Sequence, residues 1–274
     1  MTTSRESELL QLMNSNTTPK FGIVIPTLGE RIGYLSDLMR SLKFFTMDIQ
    51  VIVVCPRTRF SAINAANDAN LNLTLVEDPG EGLASAINCG FKLVTAQYWN
   101  WIGDDDLCDS SGIEAIIEYL DEADELTFGW GNCVYINERT EKIGLNRMGM
   151  FAAKLIFFGP NLIPQPSCVF RVRETYRVGA LDVGLKFAFD QDLIMKFLKH
   201  KNYIHIPIVS SRYRWHGTTL TSSNRRSSAR ESLGLRIKYS KERFGILAFV
   251  NFLTFPLVKL TLFSSSIVFR LKSI

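Results

Sequence analysis

The sequence predicts an α/β protein: a mostly parallel central sheet covered by helices, followed by a basic and apolar helical tail. Three observations predict it. Short apolar runs alternate with helix-period segments from Phe21 to Ile102, the rhythm of strand–crossover–strand units. The runs are apolar throughout rather than alternating, as strands buried on both faces require. Charge is also split along the chain. Residues 225–274 hold ten Lys/Arg against two Glu, net +8, which leaves residues 1–224 at −4 in a chain of net +4. An acidic body with a basic tail argues against a nucleic-acid binder. A length of 274 residues suits one large domain with an appendage.

Residues 1–20 are polar, contain no apolar segment of signal-peptide type, and are expected to form a flexible arm. Phe21–Pro26 reads as a buried strand stopped by its proline. Leu35, Leu38, Met39, Leu42 and Phe45 then recur at helical spacing. Ile49–Val54 is a second strand, ended by Cys55-Pro56, and a short helix-like stretch from Phe60 to Asn67 leads to a third, Leu71–Val76. Gly82–Val94 is helical, with Ala86, Cys89, Gly90 and Leu93 on one face. Tyr98–Ile102 is a fourth strand that runs into Asp104-Asp105-Asp106, with Asp109 as N-cap of the next helix.

Further on, Thr127–Ile136 is strand-like, Met150–Phe158 is a short apolar helix, and Pro164-Gln165-Pro166 breaks the chain before a strand at Ser167–Arg171. Asp190-Gln191-Asp192 opens a helix that turns Leu193, Ile194, Phe197 and Leu198 inward. Both aspartates suit a helix first turn. Asp190 also follows the apolar Phe187-Ala188-Phe189, which should be partly buried. Five scattered cysteines without CxxC spacing argue against a disulfide framework or zinc site and fit a reducing compartment.

Ligands of open α/β sheets bind beyond the carboxyl ends of the strands. Two polar loops fall at such ends: Thr27-Leu28-Gly29-Glu30-Arg31, which carries a cation, and the trianionic Asp104–Asp106. Adjacent carboxylates repel one another unless a cation sits among them. They are hard oxygen ligands, and Mg²⁺ or Mn²⁺ takes one or two carboxylates together with phosphate oxygens. A solvated acidic turn is the plain alternative.

Five segments in this order resemble glycosyltransferase family 2, whose members have the nucleotide-sugar-binding GT-A fold. They are FGIVIPTLGER (21–31), GEGLASAINCGFKLVTAQYWNWIGDDDL (80–107), PQPSCVFRVRETYRVGALD (164–182), FAFDQDLIMKFL (187–198) and YRWHGTTLTSS (213–223). The resemblance implies a sugar-nucleotide donor pocket built from Pro26, Thr27, Leu28, Glu30 and Arg31, with Asp78, Gly82, Asn88 and Asp105. It implies Mn²⁺ or Mg²⁺ on Asp106, with Asp104 as a second or water-mediated ligand. It also implies inversion at the anomeric carbon, with Asp190 as catalytic base. Gln165, Asp192 and His216 are further candidates for acceptor or phosphate contacts, with Asp192 equally readable as a helix-start charge and His216 as a surface or packed residue. Two departures stand out: Phe189 replaces a Glu common before the base, and Val54-Cys55-Pro56-Arg57 replaces the usual Asp-Asp-Gly-Ser, so the nucleotide, UDP or dTDP, is not specified.

The expected domains are the arm (1–20), the transferase domain (21–224) and a tail (225–274). In the tail, basic residues from Arg225 to Arg243 precede the uncharged Phe244–Val258 and the apolar Leu260–Phe269. Each apolar piece is shorter than the roughly 20 residues a spanning helix needs. The expectation is a segment lying on the anionic cytoplasmic leaflet, with a lipid-linked glycan acceptor from bacterial cell-surface polysaccharide assembly. Hexosyl and deoxyhexosyl transfer are both compatible, and the oligomeric state is not specified. The competing classes are a non-catalytic nucleotide-sugar-binding or membrane-adaptor protein and a sugar nucleotidyltransferase. The latter needs a Gly-rich, basic loop after the first strand, where this chain has a single Gly.

Overall fold

The computed structural model describes residues 18–199, 202–215 and 225–244. Most of the expected N-terminal arm, His216 and the apolar stretches beyond Phe244 lie outside the described residues. Strands β1 (Phe21–Pro26), β2 (Ile49–Cys55), β3 (Leu73–Glu77) and β4 (Tyr98–Trp101) run parallel in the order β3-β2-β1-β4. Helices α1 (Ile32–Leu42), α2 (Phe60–Ala66) and α3 (Leu83–Phe91) link them. A parallel pair needs such a crossover, because its second strand must begin at the end where the first began.

The chain then continues through β5 (Leu107–Cys108), α4 (Ser110–Glu122), β6 (Phe128–Ile136), β7 (Lys142–Asn146), α5 (Gly149–Leu155), β8 (Cys168–Arg171) and α6 (Val172–Val178). The described residues end with α7 (Phe189–Lys199), β9 (Tyr203–Arg214) and α8 (Arg225–Phe244). These strands extend the sheet as β4-β8-β6-β9-β5, with β7 beside β6. β8 is antiparallel to both β4 and β6, whereas β6 and β9 are parallel. The two-residue β5 and the edge strand β7 are too short or too polar to stand out in the sequence. Asp109 does precede α4, but its carboxylate bonds Ser111 and Arg212 rather than the helix backbone.

Successive strand residues point to opposite faces, and here the two faces bury separate cores. Ile23, Ile25, Val51 and Val53 join Leu35, Leu38 and Met39 of α1 and Ile113, Ile116 and Ile117 of α4. Val24, Ile52 and Val54 join Ile87 and Phe91 of α3, Leu193, Ile194 and Phe197 of α7, and Leu235 and Tyr239 of α8. Each such aliphatic or aromatic side chain removed from water contributes about 1.5–3 kcal/mol before entropy is counted. Gly90 lets α3 lie close on the sheet, because a Cβ there would run into Val24 and Val54.

Helix α8, the first part of the expected tail, packs on this second core. Helix α8 buries Leu235, Arg236 and Tyr239 against the body, leaving Arg226, Arg230 and Lys238 outward. Leu235, Arg236 and Tyr239 make its buried face, and the helix meets α7. No described helix is long and apolar enough to cross a membrane.

Candidate active site

The parallel register sets the site. Val24 lies beside Trp101, so three residues further along each strand bring Thr27 level with Asp104. The Thr27 hydroxyl donates to Asp104 Oδ2 at 2.5 Å and accepts the Gly29 N–H at 2.9 Å. Gly29 turns the chain at φ 67°, where a side chain would also meet Arg59. This turn sends Arg31 back across the acidic loop. Its guanidinium reaches Asp104 Oδ1 at 2.6 Å and Asp105 Oδ2 at 2.5 Å. The cation that three adjacent carboxylates require is therefore supplied by the chain itself.

Asp104 and Asp106 are buried while Arg31 remains 42% exposed at its side chain. Burial raises the Asp104 carboxyl, and its Thr27 and Arg31 partners oppose that rise. Burial and the neighbouring charge of Asp105 push Asp106 well above the ordinary carboxylate range, while the Arg214 backbone N–H works against them.

That N–H, at the end of β9, donates to Asp106 Oδ1 at 2.8 Å. The Arg214 side chain is itself buried. It donates from Nε to the Asp105 carbonyl at 2.8 Å and from one terminal nitrogen to Asn137 O, Glu138 O and Thr140 Oγ1. Its guanidinium carbon lies 4.3 Å from the centre of the Tyr34 ring. Arg214 thus joins the acidic loop to the β6–β7 turn and to α1. It was not among the sequence candidates, although its place inside the last family-like segment, 213–223, was a signal.

Asp190 arrives from the other core. Phe189, the first residue of α7, packs on Trp101 at the end of β4, with ring centres 6.5 Å apart. Burial pushes the Asp190 carboxyl up to about 6, opposed by the backbone N–H groups of Gln191 and Asp190. The Tyr213 phenol is raised by burial and by the charges of Asp106, Asp105 and Asp190 together. The charges of the acidic loop and of Asp190 thus act on the same β9 ring.

The remaining candidates divide. Pro26, Leu28 and Glu30 lie on the β1 end and its turn, with Leu28 58% exposed. Asp78 follows β3 and caps its own turn by accepting the Gly80 N–H. Gly82, at φ 98°, precedes the first residue of α3. Asn88 is fully engaged with the Leu181 backbone, donating to its carbonyl at 2.8 Å and accepting its N–H at 3.0 Å. Gln165 lies behind β4, donating to Asn100 Oδ1 and Trp101 O. Asp192 is buried in a different cluster, accepting from Tyr239 Oη at 2.6 Å and pairing with Lys196 at 2.8 Å. That arrangement ties α7 to α8, so Asp192 serves the helix interface. His216 lies outside the described residues.

The acidic loop suits a divalent ion only where phosphate oxygens complete the ligand set. Both Asp104 oxygens are engaged, but Asp106 Oδ2 has no hydrogen-bond partner among the described residues. No group of three His, Cys, Asp or Glu side chains among the described residues could hold a metal unaided. One carboxylate oxygen plus phosphate oxygens is a normal Mg²⁺ or Mn²⁺ set.

Comparison with known proteins places this geometry. Residues 22–179, more than half the chain, match the profile described as Glycosyl transferase family 2. The chain is 25% identical over 223 residues to Uncharacterized glycosyltransferase RP339 of Rickettsia prowazekii (strain Madrid E), covering 76% of this chain and 68% of that one. The crystal structure of S. aureus TarS matches with a TM-score of 0.59 at 14% identity, covering 81% of this chain and 40% of that chain. TarS 1–349 in complex with UDP-GlcNAc matches with a TM-score of 0.60 at 15% identity, covering 81% and 66%. The chain thus spans about two fifths of the longer TarS chain. At these identities the structural likeness is one of fold: a curled α/β sheet of the GT-A type. The chain belongs to glycosyl transferase family 2.

Proposed function

We propose that the protein is an inverting glycosyltransferase that moves a hexosyl or deoxyhexosyl group from UDP or dTDP to a hydroxyl of a lipid-linked glycan. The observation that carries this reading is an arginine-bound acidic loop at the sheet's carboxyl edge, with the first turn of α7, which carries Asp190, packed through Phe189 on Trp101 just before that loop. The UDP-GlcNAc complex of the fold relative TarS supports a nucleotide-sugar donor.

In this mechanism Arg31, exposed and already bidentate on two carboxylates, turns part of its donor set to the donor's diphosphate. Asp106 would hold Mn²⁺ or Mg²⁺, and a bound ion would neutralise charge growing on the leaving diphosphate. Arg214 and Thr27 keep the two buried carboxylates in place. Asp105, less buried than its neighbours and paired with Arg31, would receive ribose or sugar hydroxyls. Asp190, with its carboxyl up to about 6, is ionised near neutral pH. It accepts the acceptor hydroxyl's proton as that oxygen attacks the anomeric carbon from the face opposite the diphosphate, which inverts the centre.

The lipid-linked acceptor rests on the tail. Arg226, Arg230 and Lys238 face outward on α8, and the sequence beyond it is apolar. Such a combination favours peripheral attachment to an anionic cytoplasmic membrane face. A thermal-shift panel of UDP- and dTDP-sugars, with and without Mn²⁺, tests the donor assignment. Stabilisation by at least one sugar nucleotide that grows with Mn²⁺ is expected. No shift with any of them would overturn the reading.

A further inference from the structure

We propose that Glu231 of α8 is a positioning residue for Asp190, holding through three backbone hydrogen bonds the segment that presents this carboxylate. The proposal rests on the reading of Asp190 as the base. The Glu231 carboxylate accepts the N–H groups of three consecutive residues: Lys186 at 3.1 Å, Phe187 at 2.8 Å and Ala188 at 3.0 Å. Successive N–H groups turned to one side form an anion-binding concavity, and here the anion is a side chain from a helix more than forty residues away.

The same bonds decide where α7 begins. The Ala188 carbonyl accepts the Asp192 N–H at 3.0 Å, the first turn of the helix, while the Ala188 N–H is taken by Glu231. The N–H groups ahead of a helix have no partner within it, so an outside carboxylate both satisfies them and sets the starting residue. Asp190 follows two residues later. Between them, Phe189 is held on Trp101. At its other end the segment is tied by Asn88, which brackets the Leu181 backbone. The loop from 181 to 188 is therefore fastened at both ends, and its fastening to α8 is the Glu231 carboxylate.

Glu231 is not what docks α8. Leu235 and Tyr239 are buried in the shared core, Tyr239 bonds Asp192, and Arg236 donates to the Phe158 carbonyl at 3.1 Å. Removing the Glu231 carboxylate should thus free the segment before Asp190 and leave the helix in place.

The test uses the full-length chain as wild type, Glu231→Ala, Glu231→Gln and Asp190→Asn. Two readouts are needed: amide hydrogen exchange over residues 186–188 without donor, and nucleoside diphosphate release from UDP-GlcNAc and dTDP-glucose with Mn²⁺. In Glu231→Ala, exchange at 186–188 should quicken about tenfold or more, as locally opened amides do. Its kcat should fall about 10- to 100-fold, the scale of misplacing a reacting group, while donor KM changes less than about threefold. Glu231→Gln keeps one side-chain oxygen and should recover most of the lost kcat. Unchanged exchange in Glu231→Ala, kcat within twofold of wild type, KM rising in step with the loss, or no recovery in Glu231→Gln would each overturn the proposal. Asp190→Asn separates the two ideas. Turnover retained there sinks the base assignment itself, whereas turnover lost there but kept in Glu231→Ala sinks only the positioning role.

Discussion

Asp106 and Asp190 are both raised by burial, yet their surroundings suit them to different work. Asp106 has one oxygen on the Arg214 N–H and one without a partner among the described residues, which suits the ligand role proposed for it. Asp106→Ala should abolish Mn²⁺-enhanced nucleotide binding while the fold stays intact, measured by the donor-induced thermal shift. Burial pushes the Asp190 carboxyl up to about 6, which suits the base role proposed for it. Asp190→Asn should lower transfer by about two to four orders of magnitude with donor binding retained. Wild-type turnover should fall about tenfold per pH unit once the pH drops below about 6, because only the ionised form accepts a proton. Stability gives an activity-free check. A carboxyl raised in the folded state holds its proton more tightly than in the unfolded chain, so folding stability falls as pH rises from about 4 to about 6. Asp190→Asn should remove that cost, raising stability above pH 6 by at most about 3 kcal/mol and giving no gain near pH 4. Chemical denaturation at both pH values measures it.

At the scale of elements, the α7–α8 contact is the one the sequence least suggests. Asp192 is fully buried, with Tyr239 and Lys196 as its close partners and Lys238 at 3.9 Å. Tyr239→Phe removes the buried hydroxyl and leaves a carboxylate oxygen without that donor, at a cost of about 1–3 kcal/mol. The loss should appear as a lower Tm, with the donor-induced shift preserved, since Tyr239 touches the back of α7 rather than the acidic loop. A Tyr239→Phe variant as stable as wild type would mean that the α7–α8 contact contributes little.

At the scale of the whole molecule, α8 belongs both to the packed body and to the basic tail. Ending the chain after Phe244 should leave a folded domain that still binds sugar nucleotide but transfers poorly to a lipid-linked acceptor. Ending it before Arg225 removes Leu235, Tyr239 and Glu231 and should lower Tm sharply or prevent folding. The full-length protein should leave membranes in high salt or alkaline carbonate, because surface charge is screened beyond a Debye length of about 8–10 Å. Release by detergent alone would show an inserted tail instead.

The four parallel strands and their helices were legible from the sequence because each carries its own periodicity. The edge at which Thr27–Arg31 and Asp104–Asp106 emerge was legible too, since parallel strands must end on the same side. The motif order also identified the family. What the sequence by itself left open were matters of pairing between distant residues. Nothing local says that Arg31 neutralises Asp104 and Asp105, or that Arg214 fixes Asp106 through its backbone N–H. The same holds for Asn88, which the tertiary structure spends on Leu181, and for Asp192, which it spends on Tyr239. A side chain's composition and period reveal which face it occupies. Its partner is decided only when register and helix packing bring two remote segments within a hydrogen bond's reach, as they bring Glu231 to the threshold of α7.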